Sequence, residues 1–418
     1  MKKRFNLPTV LALMLLMSVL TFLATRMVIQ SEFREMLYST EKMEESIALF
    51  TDARKAILDR FVGECDEETL NRGAVEGMMQ ALGDQWSYYM TPEQYAEQVS
   101  TDKSFVGIGV SVVNDDGVPL ITEVYDGGPA ASMGITIGSR VYSVEGVLVS
   151  ELGYEKTVES IRGEEFTTVS IVIQTPEKEL KPYNIMRRSV TRQMVLSEII
   201  ADGQIGYIRI HGFETRVDTD FEEAVRRLQE AQVKGLILDL RNNPGGSVNV
   251  MASMLDVLLP KGRLITLQNR AGVEEYLDST ASCVELPMVV LINEESYSAA
   301  EFFAACLSEY DWALTVGGKT TGKGYAQTDY KLVDGSGLHL STKKYYTPKG
   351  VSLAGVGLEP DYPVALPEGL TVLSYTNHEE DTQYAKALEL LSAQLTPPET
   401  ADSPEPDSSD EPAPSSGS

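Results

Sequence analysis

The chain has 418 residues, 43% hydrophobic and 23% charged, which allows two or three domains with sizeable cores. Its 62 acidic side chains outnumber 35 basic ones, for a formal net charge of -27, and this argues against a phosphate-binding, nucleic-acid-facing surface. Cys65, Cys283 and Cys306 fall in no CxxC or Cys/His spacing, which speaks against a zinc site.

At the N-terminus, Lys2, Lys3 and Arg4 precede an apolar run from Leu7 to Thr25. A run of this length spans a bilayer as a helix, and the basic flank favours a cytoplasmic N-terminus. Leu23-Ala24-Thr25 is a poor cleavage site, so residues 1–30 are expected to be an uncleaved signal-anchor transmembrane helix. Everything after Arg26 would then lie outside the cytoplasm. Residues 31–100 read as a helical N-terminal region. Phe33, Met36, Leu37, Met43, Ile47 and Phe50 carry helical spacing. This stalk could pair with a second copy or pack on its own domain. A helix over 66–82 carries Leu70, Ala74, Met78 and Leu82 on one side; Gly83-Asp84-Gln85 ends it, and Thr91-Pro92-Glu93 opens a short further helix.

Residues 101–190 form a β-rich module. Strand-like Val118–Ile121 and Val169–Ile173 alternate with Gly/Asp turns, around one helix from Tyr154 to Arg162. From 191 to 368 the pattern becomes strand, helix, strand, helix. Strands are expected at Ile205–Phe213, Leu236–Leu240, Met288–Ile292 and Ala313–Val316. Helices are expected at Asp220–Gln232 (capped by Asp218 or Thr219), Met251–Leu259 and Ser298–Leu307. Such alternation predicts a parallel sheet covered by helices, with ligands beyond the carboxyl ends of the strands. The loops Arg241–Ser247 and Asn293–Ser298 fall there. Residues 369–395 read as a C-terminal helical segment, and 396–418, rich in Pro, Ser, Asp and Glu, as a disordered acidic tail.

Ser298 opens an apolar helix three residues before Glu301, which is also the pattern of a capping box. A serine at such a strand-to-helix turn points outward, beside backbone N–H groups that can hold an oxyanion. A serine needs a base to become a nucleophile. His211, His339 and His378 form no Ser/His/Asp arrangement, whereas Lys323 lies between Gly322 and Gly324 with Gln327 four residues on. A solvated lysine is protonated at neutral pH; burial in an apolar pocket would lower its pKa and make it a base. In an extended segment Gln327 shares a face with Lys323 and could hold the amine. Gly317–Lys323 matches seven positions of a phosphate-binding loop, but Gly324 stands where Ser or Thr is needed and a strand follows, which disfavours an ATPase. Asp239–Gly246 reads either as an anion-binding turn at a helix start or as an ordinary turn in which Asp239 and Arg241 pair.

Leu238–Gly246, Ser296–Glu301 and Gly322-Lys323-Gly324 with Gln327 come in this order, followed by Asp334-Gly335-Ser336, Tyr345–Gly350 and Gly357–Asp361. In this combination the chain resembles the carboxyl-terminal processing peptidases, or tail-specific proteases, from about residue 40 to 365. The resemblance implies an α/β fold: a crotonase/Clp-protease-like βα core with an inserted PDZ domain. It implies Ser298 as nucleophile, Lys323 as general base and Gln327 as the group that positions Lys323. The oxyanion hole would be the N–H of Ala299 with that of Gly245 or Gly246. Val106, Gly107, Ile108, Gly109 and Val110 would take a peptide's terminal carboxylate, with the peptide added as a strand. Arg162 would contact the peptide, couple the two domains, or be a surface charge. Gly138-Ser139-Arg140 and Ser247 depart from the family pattern and bear on peptide preference. The implied protein is a membrane-anchored serine endopeptidase acting on protein tails, with no metal, nucleotide or other cofactor and no nucleic-acid partner. The competing reading is an anchored PDZ scaffold whose protease-like part is inert.

Overall fold

The structure, a computed structural model, describes residues 42–100, 105–125, 127–280, 283–368 and 380–395, with isolated positions 17, 18, 21 and 372. Apart from those isolated positions, the apolar run Leu7–Thr25, the acidic tail 396–418 and most of 369–379 lie outside the described residues. Among the described residues no helix is long and apolar enough to cross a membrane. Met1–Tyr89 and Met90–Ser418 form two compact units. In the first, a helix covers residues 42–60 and a second runs Glu67–Gln80, its N-cap Asp66 accepting the Thr69 N–H at 2.8 Å. Met43, Ile47, Phe50 and Ile57 are exposed on one side of the first. At the start of the second unit, Thr91 and Gln94 cap the helix Pro92–Gln98 reciprocally, as the Thr-Pro signal predicts.

The β-rich stretch folds as an antiparallel sheet in the order Val110–Asp115, Val118–Val124, Arg140–Val144, Thr168–Gln174, Leu180–Met186. Alternate residues of its strands, among them Ile121, Val141, Val169, Ile171, Ile173 and Ile185, meet in one apolar cluster with Ile161 of the helix Tyr154–Ile161. Phe105–Gly107 pairs separately with Arg188–Val190.

The following residues build a six-stranded sheet: Val195–Ile200, Ile205–Ile210, Gly235–Asp239, Met288–Ile292, Ala313–Gly317 and Tyr362–Pro363. The first pair is antiparallel and the others are parallel. The period of two along the strands divides the core into two layers. Leu236, Leu238, Met288, Val290 and Ile292 pack with the helices Val217–Glu230, Val248–Leu258 and Ala299–Glu309. Ile237, Val289 and Leu291 face the other way, onto Tyr384, Ala387 and Leu391 of the helix Thr382–Leu395. Burial on both faces is why these strands read as unbroken apolar runs.

The helix expected at 220–232 starts earlier, at Val217, behind Arg216 in the left-handed region (φ 76°), with Asp218 inside the first turn rather than at the cap. Of a second sheet, the sequence reading caught only the strand that follows Gly324. This sheet includes the hairpin Gly262–Asn269/Glu274–Ser279, whose first strand pairs antiparallel with Gly337–Tyr346. Tyr325–Lys331 in turn pairs antiparallel with Gly337–Tyr346. Cys306 is buried, its thiol donating to the Leu264 carbonyl oxygen at 3.0 Å. Burial pushes that thiol well above the usual range.

Candidate active site

The two suggestive loops meet at the carboxyl ends of the parallel strands Gly235–Asp239 and Met288–Ile292. Ser298 stands between the second strand and the helix Ala299–Glu309 with φ 59° and ψ −125°. A non-glycine residue rarely holds this conformation, and an ordinary N-cap serine is extended. Strain of this kind persists where the surroundings over-determine it, and here they do. Asn293 and Ser296 tie the turn to the strand ends: the Ser296 hydroxyl donates to the Leu240 carbonyl at 2.8 Å and accepts the Asn293 N–H at 3.0 Å. The Asn293 side chain accepts the Asn242 N–H at 2.8 Å and donates to the Asn242 side chain at 2.6 Å. The Tyr297 N–H reaches the Asn243 carbonyl at 3.1 Å.

Gly245 lies against this turn. A β-carbon there would come within 2.7 Å of the Tyr297 carbonyl oxygen and 2.8 Å of the Ser298 Cβ, and φ is already 88°. Only glycine fits. The Gly245 N–H donates to the Asn243 side chain at 2.8 Å, and the Gly245 carbonyl accepts the Phe213 N–H at 2.9 Å. In a trans peptide the N–H lies opposite the preceding carbonyl, so the Gly246 N–H points away from Phe213.

Glu301 does more than cap its helix. It is fully buried, and its Oε2 accepts the Ser298 N–H at 2.8 Å and the Lys323 N–H at 2.8 Å. The two backbone nitrogens therefore lie less than twice that distance apart, although 25 positions separate them in sequence. The other oxygen accepts the Gly322 N–H at 2.7 Å and the Thr320 hydroxyl at 2.6 Å. Four donors compensate a carboxylate that would otherwise be costly to bury. Lys323 is half-buried, with its Nζ 5.7 Å from the Tyr297 ring centroid. Gln327 donates its amide to the Tyr325 carbonyl and to the Ser341 hydroxyl, each at 3.1 Å, across the strand pair.

Asp239 and Arg241 pair within the core, at 2.6 Å. Burial alone would raise the Asp239 carboxyl, but the Arg241 guanidinium outweighs it and holds it near 2. Arg241 also bonds Asp381 at 2.9 Å and Gln383 at 3.0 Å, fastening the loop's base to the last described helix. The first pair was one of two readings the sequence offered; the second, which spans 140 positions, was not among them.

The segment Val106–Val110, expected to take a peptide carboxylate, is built from local bonds. The carbonyls of Ile108 and Gly109 turn inward, accepting the Ala130 N–H at 2.8 Å and the Tyr125 N–H at 2.9 Å. By the same trans-peptide geometry the N–H groups of Gly109 and Val110 turn outward, side by side. Val106 and Gly107 are held in the pair with Ser189 and Arg188. Arg162 is exposed at the C-terminal end of the helix Tyr154–Ile161. Between this segment's sheet and the parallel core sits a partly buried polar junction that sequence reasoning missed. Glu123 accepts Arg192 through 3.1 and 2.9 Å bonds and the Ser111 hydroxyl at 2.7 Å, and lies 3.2 Å from His211 Nε2. Arg192 can only donate, so at 3.1 Å it fixes a lone pair on His211 Nδ1 and the proton of the neutral ring on Nε2, facing Glu123.

Residues 204–364 match the model of peptidase family S41, and residues 14–94 match that of the activating protease CtpB N-terminal domain. A Staphylococcus aureus protein described as "Probable CtpA-like serine protease" is 30% identical over 358 residues, covering 78% of this chain and 71% of that one. A carboxyl-terminal-processing protease of Picosynechococcus is 29% identical over 326 residues, covering 76% and 78%. Among solved structures, a Bacteroides fragilis protein assigned to the S41 proteases superimposes with a TM-score of 0.59 at 21% identity, over 77% of this chain and 90% of that one, and shares the fold. With the ordered motifs and the mixed α/β core, these matches establish that the chain belongs to peptidase family S41, the carboxyl-terminal processing serine proteases.

Proposed function

We propose that this protease is a membrane-anchored, extracytoplasmic endopeptidase that grips protein C-terminal tails in a PDZ-type groove and cuts them with a Ser298/Lys323 pair. The observation that carries the reading is the Glu301 carboxylate, which holds the backbones of Ser298 and Lys323 on a single buried oxygen. The Ser298 hydroxyl attacks the scissile carbonyl while the neutral Lys323 amine takes its proton. The N–H groups of Ala299 and Gly246 receive the developing oxyanion, since that of Gly245 is already bonded to Asn243. The Lys323 ammonium then protonates the leaving amine, and water hydrolyses the acyl-enzyme. Gln327, on the strand that follows Lys323, orients the amine. Adjacent outward N–H groups at Gly109 and Val110 support carboxylate capture by the groove.

The anchor rests on the apolar run behind Lys2, Lys3 and Arg4, which would place the catalytic part outside the cytoplasm. The exposed apolar side of helix 42–60 supports pairing with a second copy. The test is turnover of an unstructured peptide by the full chain. Ser298→Ala should stay folded and lose cleavage. Lys323→Arg should also be inactive, because a guanidinium does not give up its proton. Cleavage by Ser298→Ala at the wild-type rate would refute the assignment. Tail binding without turnover by the wild type would leave the inert scaffold standing.

A further inference from the structure

Val110–Asp115 is an edge strand of its sheet, and an edge offers N–H and C=O groups to an extended peptide. Which groups it offers follows from the hairpin. Asp116 and Gly117 both have positive φ, 52° and 85°, and form the two-residue turn that pairs Asp115 with Val118. In such a hairpin the closing pair exchanges both hydrogen bonds and every second pair thereafter does the same. Val113 and Leu120 are therefore bonded to each other. Asn114/Pro119 and Val112/Ile121 are the intervening, non-bonded pairs. Proline fits there because that slot asks no N–H of it. The Val112 carbonyl consequently faces the open edge.

It is not empty-handed there. The Tyr154 hydroxyl donates to it at 3.2 Å. Tyr154 is half-buried at the first position of the helix Tyr154–Ile161, with Val158 one turn on along the same face. Desolvation pushes the phenol above its ordinary pKa, so it remains a donor at neutral pH.

A tail whose carboxylate sits on the N–H groups of Gly109 and Val110 runs antiparallel to the strand. Its last residue falls beside Val110 and the residue two before it beside Val112. That residue's N–H requires the acceptor that Tyr154 already holds. We propose that Tyr154 gates the tail groove: its hydroxyl competes with the incoming backbone for the Val112 carbonyl and so sets the affinity for substrate tails. This rests on the reading of the groove as a tail-binding site. A bound tail exchanges one hydrogen bond for another at this position, so the position adds little to affinity in the native chain. Removing the competing hydroxyl lets it contribute.

The test compares the full chain with Tyr154→Phe, both in the Ser298→Ala background, against a labelled peptide with a free C-terminal carboxylate and the same peptide amidated. Phenylalanine keeps the ring and removes only the hydroxyl. Tyr154→Phe should bind the acid form roughly two- to ten-fold more tightly, the worth of one net hydrogen bond. With Ser298 restored it should show a KM lower by the same factor at unchanged kcat. If the native protein prefers acid to amide but Tyr154→Phe binds equally or more weakly, the gate is refuted while tail recognition survives. If neither protein distinguishes acid from amide, the groove reading fails, and the gate with it.

Discussion

Replacing Glu301 by glutamine tests whether the buried carboxylate is what assembles the site. Its two oxygens accept four hydrogen bonds, from the N–H groups of Ser298, Lys323 and Gly322 and from the Thr320 hydroxyl. Glutamine offers one oxygen and one NH2. With the NH2 toward Ser298 and Lys323, two backbone donors face a third. With the NH2 toward Thr320 and Gly322, the hydroxyl can rotate to accept, since it already accepts the Leu358 N–H at 2.7 Å. The Gly322 N–H cannot rotate. Even the better orientation therefore strands one buried donor and weakens the remaining charge-assisted bonds, at a cost of about 3–5 kcal/mol. The thermal midpoint should fall by roughly 10 °C. A shift of the Ser298 or Lys323 backbone by an ångström should lower kcat about 100-fold. Glu301→Asp keeps the charge but withdraws both oxygens by about one C–C bond, roughly 1.5 Å, and should do no better. Melting curves and single-turnover cleavage of a tail-bearing peptide give both quantities. Near-native kcat and melting in Glu301→Gln would show that the carboxylate holds neither residue in place.

Gly245→Ala should leave tail binding intact but lower kcat by about 10²–10³, the effect of losing one oxyanion donor, because its β-carbon would sit 2.8 Å from the Ser298 Cβ. Native kcat would place the oxyanion loop elsewhere. At the junction, burial beside Arg192 and Arg209 brings the His211 imidazole down from 6.5 to about 4 despite Glu123. The folded value lies below the unfolded one, so this contribution to stability is full above about pH 6.5 and falls by up to about 3 kcal/mol as pH drops towards 4. His211→Asn, whose side-chain oxygen replaces the Nδ1 acceptor, should flatten that part of the pH–stability curve in chemical denaturation; an unchanged slope would assign it to other groups.

Periodicity and burial made the parallel core readable. Met288–Ile292 is apolar throughout because both faces are covered, and its boundaries in the fold coincide with those in the sequence. Motif order pointed to Ser298 and Lys323 together, and in the fold their backbone N–H groups share one Glu301 oxygen. Other features were not legible, for identifiable reasons. The hairpin Gly262–Asn269/Glu274–Ser279 alternates weakly, since its outer strand is largely exposed. Arg216 at positive φ has no composition signal, so the helix start moved. Glu301 was visible only as a cap: its partners Thr320, Gly322 and Lys323 lie about twenty residues away. Asn243 and Asn293 looked like turn residues, because an asparagine that braces a loop and one that merely turns it are written alike. Glu123, Arg192 and His211 come from three separate strands or strand ends, and only the tertiary fold brings them together.

The junction links the strand Val110–Asp115 to the loop Arg241–Ser247 through contiguous hydrogen bonds and one close charge contact. Ser111, one residue before the groove's Val112, donates to Glu123, which receives Arg192 and faces His211. The backbone on either side of His211 then grips the loop Arg241–Ser247. The Ile210 carbonyl accepts the Asn243 side-chain amide at 2.8 Å, and Phe213 exchanges bonds with Gly245 and Ser247 at 2.9 and 2.7 Å. Every link is a hydrogen bond or close charge contact with a side chain that is at most partly exposed, which a change at either end would strain and water could not readily replace. Contiguity alone does not transmit a signal; a second arrangement of the same groups is required. The place for one is the neutral His211, whose proton is fixed by a cation on one side and an anion on the other. Nε2 lies 3.2 Å from the Glu123 carboxylate but makes no hydrogen bond there, so a displacement of Ser111 that moved Glu123 would change what this buried N–H faces, and the imidazole could follow the carboxylate only by moving the segment from Ile210 to Phe213 that holds the loop Arg241–Ser247.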